Sequence, residues 1–239
     1  MPAPKAYAIN YGVNVMKPRL IIQKSASDLG INNACAAVIS NVTVSDDQSF
    51  MGVLQSNLNH VASHLNSLIS NSVYEGFSRQ LKKLGYENTV SANEKLLRRF
   101  ISKGAQPINN IVDAYNAVAI RHGVSIGVHT YHHQEDIHVF RSEQPRNFRP
   151  LFAKKDITIP TGDLVYSCGD VPLASIGKVD ADAHDFRLTQ DSSNLLVVVL
   201  GHDETPGAFN RSIIEELIDM LRQKMPSLNH YFLETVVDR

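Results

Sequence analysis

Four of the chain's ten histidines crowd into one stretch: His129, His132, His133 and His138, interleaved with Glu135 and Asp136. Imidazoles and carboxylates this close are ligand types that zinc and related metals take. The spacing matches neither a zinc finger nor the H-E-x-x-H pair of a metalloprotease, and a polar loop explains the cluster at least as well. His60 and His64 sit one helical turn apart with no acidic partner between them, which reads as surface. Nucleophile signals are missing, because the chain has no G-x-S-x-G elbow, no P-loop and no G-x-G-x-x-G. Cys168 ends a strand-like run before Gly169 and Asp170, where a packed thiol is a plainer reading than a catalytic one. A basic group completes the inventory: Arg141, Arg146, Arg149, Lys154 and Lys155, with Phe148 and Phe152 between them. That mixture can hold phosphates and stack on bases. Glu143 and Asp156 dilute it, so a solvated loop competes.

Charge limits what the basic group can mean. Lys plus Arg number 23 against 24 Asp plus Glu, for a net charge of −1. General nucleic-acid binders are basic, since phosphate neutralisation dominates their affinity. Any RNA contact here is therefore expected to be local, and DNA is not an expected partner. Two cysteines far apart form neither a disulfide framework nor a zinc set, which suits a reducing compartment. Residues 1–15 lack the basic and apolar regions of a signal peptide. The longest aliphatic run, Leu195 to Leu200, is far short of the ~20 residues a membrane helix needs. The expectation is a cytoplasmic chain with no membrane contact, folded as one domain over 1–239.

The elements that would position these residues can be read from periodicity. Leu20 to Gln23 and Ala34 to Val42 read as strands. Phe50, Leu54, Leu58, Val61, Leu65, Leu68 and Ile69 predict a helix over 45–70, with a capping box from Ser45 to Gln48. A second helix is predicted over 73–84, stopped at Gly85, and a third from Ser91 with Glu94 completing its box. PINNIVDAYNAVAIRHG predicts a buried helix between Pro107 and Gly123. From Val124 the texture changes to short strand-like runs (DIHVF, DITIP, DLVYS, PLASIG and NLLVVVL) separated by turn residues. A last helix is expected over 212–223, boxed from Ser212 to Glu215. The order is helical over about 45–122, then β-rich over about 124–205. That predicts an α+β fold, with a β-rich sandwich-like core flanked by helices.

One segment carries more than texture. Gln106 to His133 resembles a stretch of the editing domain in the bacterial phenylalanyl-tRNA synthetase beta subunit, approximately PINNVVDVTNYV followed by PMHAFD. Pro107, Ile108, Asn109, Asn110, Val112, Asp113 and Asn116 match it. Free-standing relatives of that domain, with a phrase near INPLVDLYNAVSLRH, are matched at Tyr115, Asn116, Ala117, Val118, Arg121 and His122. Asp163-Leu164-Val165, Leu173 to Gly177, Asp180 to Asp191 and Asn194 to Leu200 resemble the later strands. The resemblance spans roughly 91–205.

The resemblance implies an editing-type fold and hydrolysis of mischarged aminoacyl-tRNA by a positioned water, with no cofactor. It implies tRNA, through its acceptor end, or an aminoacyl ligand as partner. His129 and Asn116 would then be catalytic, and Ala174, Ser175, Gly177 and Asp182 would bind substrate. Arg141, Arg146, Arg149, Lys154 and Lys155 would touch RNA. Asn109 and Asp113 would fix the helix start. Counted without a gap, Gly127 stands at the family's histidine position, and a two-residue insertion brings His129 there. The glycine pair before the family's acidic residue is replaced by Lys178-Val179-Asp180-Ala181-Asp182, so Asp182 or Asp185 would stand in for that residue. Two other readings stay open: a non-catalytic module for an amino acid, an aminoacyl end or RNA, and a metal-dependent hydrolase built on His129 to His138.

Overall fold

The computed structural model describes residues 17–132 and 135–238. The segment read for a signal sequence and His133 lie outside them. In chain order the elements are β1 (Arg19–Ile22), α1 (Lys24–Ser27), β2 (Cys35–Ser40), α2 (Met51–Ser63), α3 (Leu65–Ile69), α4 (Ser72–Lys83), α5 (Ala92–Lys103) and α6 (Asn110–His122). There follow β3 (Gly127–Thr130), β4 (Ile137–Arg141), β5 (Arg146–Phe148), β6 (Ile157–Ile159), β7 (Leu164–Cys168), β8 (Val171–Ile176), β9 (Ala181–Asp182), a 3-10 turn, β10 (Asn194–Val199), α7 (Gly207–Arg222), β11 (Asn229–Phe232) and β12 (Glu234–Val237). The α+β expectation is met by two large sheets and a set of helices.

One sheet has four strands in the order β11-β2-β10-β3, and the other six in the order β12-β1-β4-β7-β8-β9. The four-stranded sheet is the middle layer. On β10, Leu195, Val197 and Val199 join one core with Leu54 and Leu58 of α2, Ile111 and Val118 of α6 and Leu217 of α7. Leu196, Val198 and Leu200 join the other core, with Leu20, Val139, Val165 and Leu173 of the six-stranded sheet. Side chains alternate across a strand, so a strand buried on both faces has no polar side to show. This is why NLLVVVL is an unbroken aliphatic run.

Helix ends follow their side chains. Asn109 accepts from the Val112 amide and starts α6, and Gly123, with φ +67, stops it in the left-handed conformation. Asp113 accepts from the Ile108 amide at 3.1 Å and fixes the turn before that helix. Elsewhere the sequence expectation needs correction. The helix predicted over 45–70 begins at Met51 and breaks at His64. Ser45 and Ser49 instead donate to Asp47, and the Ser45 amide donates to Asn110, so these residues form a turn tied to α6. The helix predicted over 212–223 starts at Gly207 behind Pro206, with the Ser212 hydroxyl donating to the Phe209 carbonyl inside it.

The C-terminal arm joins both sheets. β11 pairs antiparallel with β2, and β12 pairs parallel with β1. Between them the Leu233 amide donates to the Ala36 carbonyl. No helix among the described residues is long and apolar enough to cross a membrane.

Candidate functional site

Between the two sheets, capped by α4 and α5, lies a cavity of ≈ 380 Å³. Strand register assembles one wall. Tyr166 on β7 pairs with Ala174 on β8, and Ala174 pairs with Asp182 on β9. Directly paired residues share a sheet face, so phenol, methyl and carboxylate stand in one row. All three line the cavity, together with Leu164, Ile176 and Val198.

The opposite side comes from β3. Gly127 lines the cavity, and His129, two residues on and on the same face, is 1 % exposed behind it. The His129 Nε2 and the Tyr166 hydroxyl are hydrogen-bonded at 2.6 Å. Burial lowers the His129 pKa to about 3, so the imidazole is neutral at physiological pH. Burial pushes the Tyr166 phenol well above 10, with the Asp182 and Tyr115 charges adding, so this partner is neutral too. The phenol oxygen spends one hydrogen-bonding position on His129 and keeps another for a ligand. Gly127 makes the pair possible, because a Cβ there would lie 2.3 Å from the Tyr166 oxygen. The ungapped histidine position is thus a glycine whose missing side chain leaves room for a tyrosine hydroxyl.

Asp182, on β9, puts a carboxylate on the cavity wall. Its pKa is raised to about 6, by burial first and by the neighbouring Asp180 charge second. Asp180 itself is paired with Lys95 of α5. The helices contribute polar atoms with nothing to bond. The Gln80 amide on α4 and the Ser91 hydroxyl before α5 are buried, line the cavity and have no hydrogen-bond partner among the described residues. The expected capping box is not made: Ser91 gives α5 no side-chain cap, and Glu94 pairs with Arg98. Arg99, exposed on α5, also lines the cavity.

Other expected site residues are placed differently. Asn116 is buried on α6 but is not among the lining residues. Ser175 lines the cavity, yet its hydroxyl donates to Asp163. Asp163 is fully buried and also accepts from the amides of Lys178 and Val179 and from Tyr86. Gly177 packs over Asp163 and Tyr86, where a Cβ would collide with both, and stays outside the lining.

The basic group divides. Arg141 is held internally by the carbonyls of Gly162 and Leu84. Arg146 lies over the Phe140 ring and Arg149 pairs with Asp185. Lys154 and Lys155 are exposed. Phe148 is buried, whereas Phe152 is 85 % exposed.

The Cys168 thiol and the described histidines of the cluster are dispersed. Cys168 is buried and its pKa is raised to about 11, mainly by that burial. His129 sits behind the cavity wall, bonded to Tyr166, while His138, on β4, lines a separate polar hollow with Glu135, Arg146 and Asp170. Among the described residues no three His, Cys, Asp or Glu side chains come together as a metal site.

The B3/4 domain model matches residues 79–206, from within α4 to the loop before α7, a range that includes all the cavity-lining residues except Ile31 and Phe77. The chain belongs to the B3/4 domain family. That domain is found in the phenylalanyl-tRNA synthetase beta subunit. The fold is similar to a solved N-terminal fragment of the phenylalanyl-tRNA synthetase beta subunit from Pyrococcus horikoshii, with a TM-score of 0.50 and 10% identity. The superposition covers 93% of this chain and 54% of that fragment, so this B3/4 protein spans about half the fragment's length. No curated protein sequence matches the chain significantly.

Among the lining residues that the sequence does not single out as site residues are Tyr166, Gln80, Ser91 and Arg99. Tyr166 could have been found from its strand, since DLVYS places it two positions from Leu164 on the same face. Ser91 looks like a helix cap, and Gln80 and Arg99 carry no sequence signal of their own.

Proposed function

We propose that this B3/4 protein is a trans-acting deacylase, hydrolysing the ester of mischarged aminoacyl-tRNA held in the cavity between its sheets. The observation that carries the reading is the lining itself. A space of ≈ 380 Å³ combines an apolar wall with unpaired polar groups and a carboxylate of raised pKa. That is the size and character of a small-ligand site.

The reaction needs no covalent nucleophile. Water attacks the ester carbonyl, and the ribose oxygen departs with the proton that water gave up. The protein must hold the aminoacyl end, orient the water and donate to the developing oxyanion. Above pH 6, Asp182 is anionic and can bind the α-ammonium or take the proton from water. The Tyr166 phenol offers a hydrogen bond to the bound ligand. His129 acts through Tyr166 and is a positioning residue rather than one that touches the substrate. Ala174 leaves space for a side chain, and Arg99 at the rim suits a phosphate or carboxylate. Gln80 and Ser91 provide selectivity, since an analogue unable to bond them leaves them buried and unpaired.

A second reading, binding without hydrolysis, is favoured by Gly127 at the ungapped histidine position. One assay separates the two. The protein is incubated with tRNAs charged with a panel of amino acids and ester loss is followed. Deacylation of at least one pair well above buffer supports the enzyme. Binding with no ester loss for any pair supports the module.

A further inference from the structure

Phe152 is exposed to 85 % and has φ +65. It occupies the third position of a turn closed by the Ala153 amide donating to the Pro150 carbonyl at 2.9 Å. A positive φ there is ordinarily given to glycine or asparagine, because a Cβ crowds the backbone. Neither packing nor local conformation therefore favours phenylalanine at this position.

The turn is fixed beside the cavity. The Leu151 amide donates to the Asp182 carbonyl, the His184 amide donates to the Arg149 carbonyl, and Pro150 bridges Ala183. Phe152 is thus one residue from the backbone clamp on Asp182, which lines the cavity. Lys154 and Lys155 are exposed just after it.

We propose that Phe152 is a stacking platform for an unpaired base at the 3′ end of RNA, with Lys154 and Lys155 holding the adjoining phosphates. This rests on the deacylase reading and deepens it, since it says where the nucleic acid lies once its aminoacyl end is in the cavity. An exposed aromatic ring beside cations is the usual pairing for single-stranded nucleic acid, where every base offers a π-face.

The test uses the full chain and two uncharged RNA hairpins, one with a single-stranded 3′ overhang and one blunt, compared by fluorescence anisotropy. Wild type is expected to prefer the overhang at least tenfold. Phe152→Gly should lose most of that preference yet raise the melting temperature, because it relieves the turn; Phe152→Trp should keep the preference. Equal preference in wild type and Phe152→Gly would overturn the platform, and so would loss of a concentration-dependent dimer in Phe152→Gly with RNA binding unchanged. Hydrolysis of a small aminoacyl ester lacking RNA, measured in parallel, reports on the deacylase reading separately. Ester hydrolysis without a Phe152-dependent preference leaves the enzyme and removes the platform, whereas the reverse pattern keeps the platform and removes the enzyme.

Discussion

Tyr166, Gly127 and His129 share a space that admits one arrangement. A methyl group at Gly127 would meet the Tyr166 oxygen at 2.3 Å. Gly127→Ala should therefore cost about 2 kcal/mol by overpacking. Tyr166→Phe leaves the His129 nitrogen without its partner, at about 1–2 kcal/mol. It should also lower deacylation at least tenfold. The double variant should cost less than the sum, because removing the hydroxyl makes room for the methyl. Denaturant melts of the three variants measure this; strict additivity would mean that the two sites do not meet. Asp182 gives opposite pH signs for activity and stability. Its folded pKa of about 6 lies above the ordinary aspartate value, so its contribution to stability is present at low pH and lost as pH rises through 6. Asp182→Asn should thus stabilise the fold at pH 8, by on the order of 2 kcal/mol, and not at pH 4. On the proposed mechanism activity requires the anion, so wild-type deacylation should fall below pH 6 and the variant should be poor at every pH.

The cavity wall depends on how β8 hands over to β9. Asp163, one residue before β7, accepts from the Ser175 hydroxyl on β8, from the Lys178 and Val179 amides between β8 and β9, and from the Tyr86 hydroxyl. Asp163→Ala would leave the Lys178 and Val179 amides unpaired, costing about 3 kcal/mol. It should also speed hydrogen exchange at those two amides more than at β10, and uniform exchange would show that the bracket is not local. This element marks the limit of sequence reading. The strands around Asp163 were legible because turn residues separate short apolar runs. Asp163 could be seen only as part of a D-L-V phrase, since its four donors come from positions 86, 175, 178 and 179. The helices show the same division. Gly85 and Gly123 mark their stops as expected, whereas Ser45 and Ser212 look like caps and serve other bonds. A capping box is a short pattern, and long-range partners such as Asn110 outbid it. His129 was legible as a candidate, but the row of Tyr166, Ala174 and Asp182 required knowledge of strand register.

Across the whole molecule the net charge is −1, and of the five basic-segment residues Arg141 is held by carbonyls, Arg146 lies over a ring and Arg149 is ion-paired, which leaves Lys154 and Lys155 of that segment for a polyanion. RNA affinity should therefore fall gently with salt. A log–log slope near −2 is expected if about three phosphates are neutralised in a single strand. A slope steeper than about −5 would mean that many more phosphates are neutralised and would overturn a local contact.

The arm formed by β11 and β12 has a consequence for how the chain reaches this state. The Thr235 hydroxyl bonds the Ala34 carbonyl across 201 positions of sequence. β1 and β2 therefore keep one side open throughout synthesis of everything between them. Contacts this distant are slow to form, and an open strand side recruits other chains while it waits. Until β11 and β12 are in place the molecule carries two open seams, one along each large sheet.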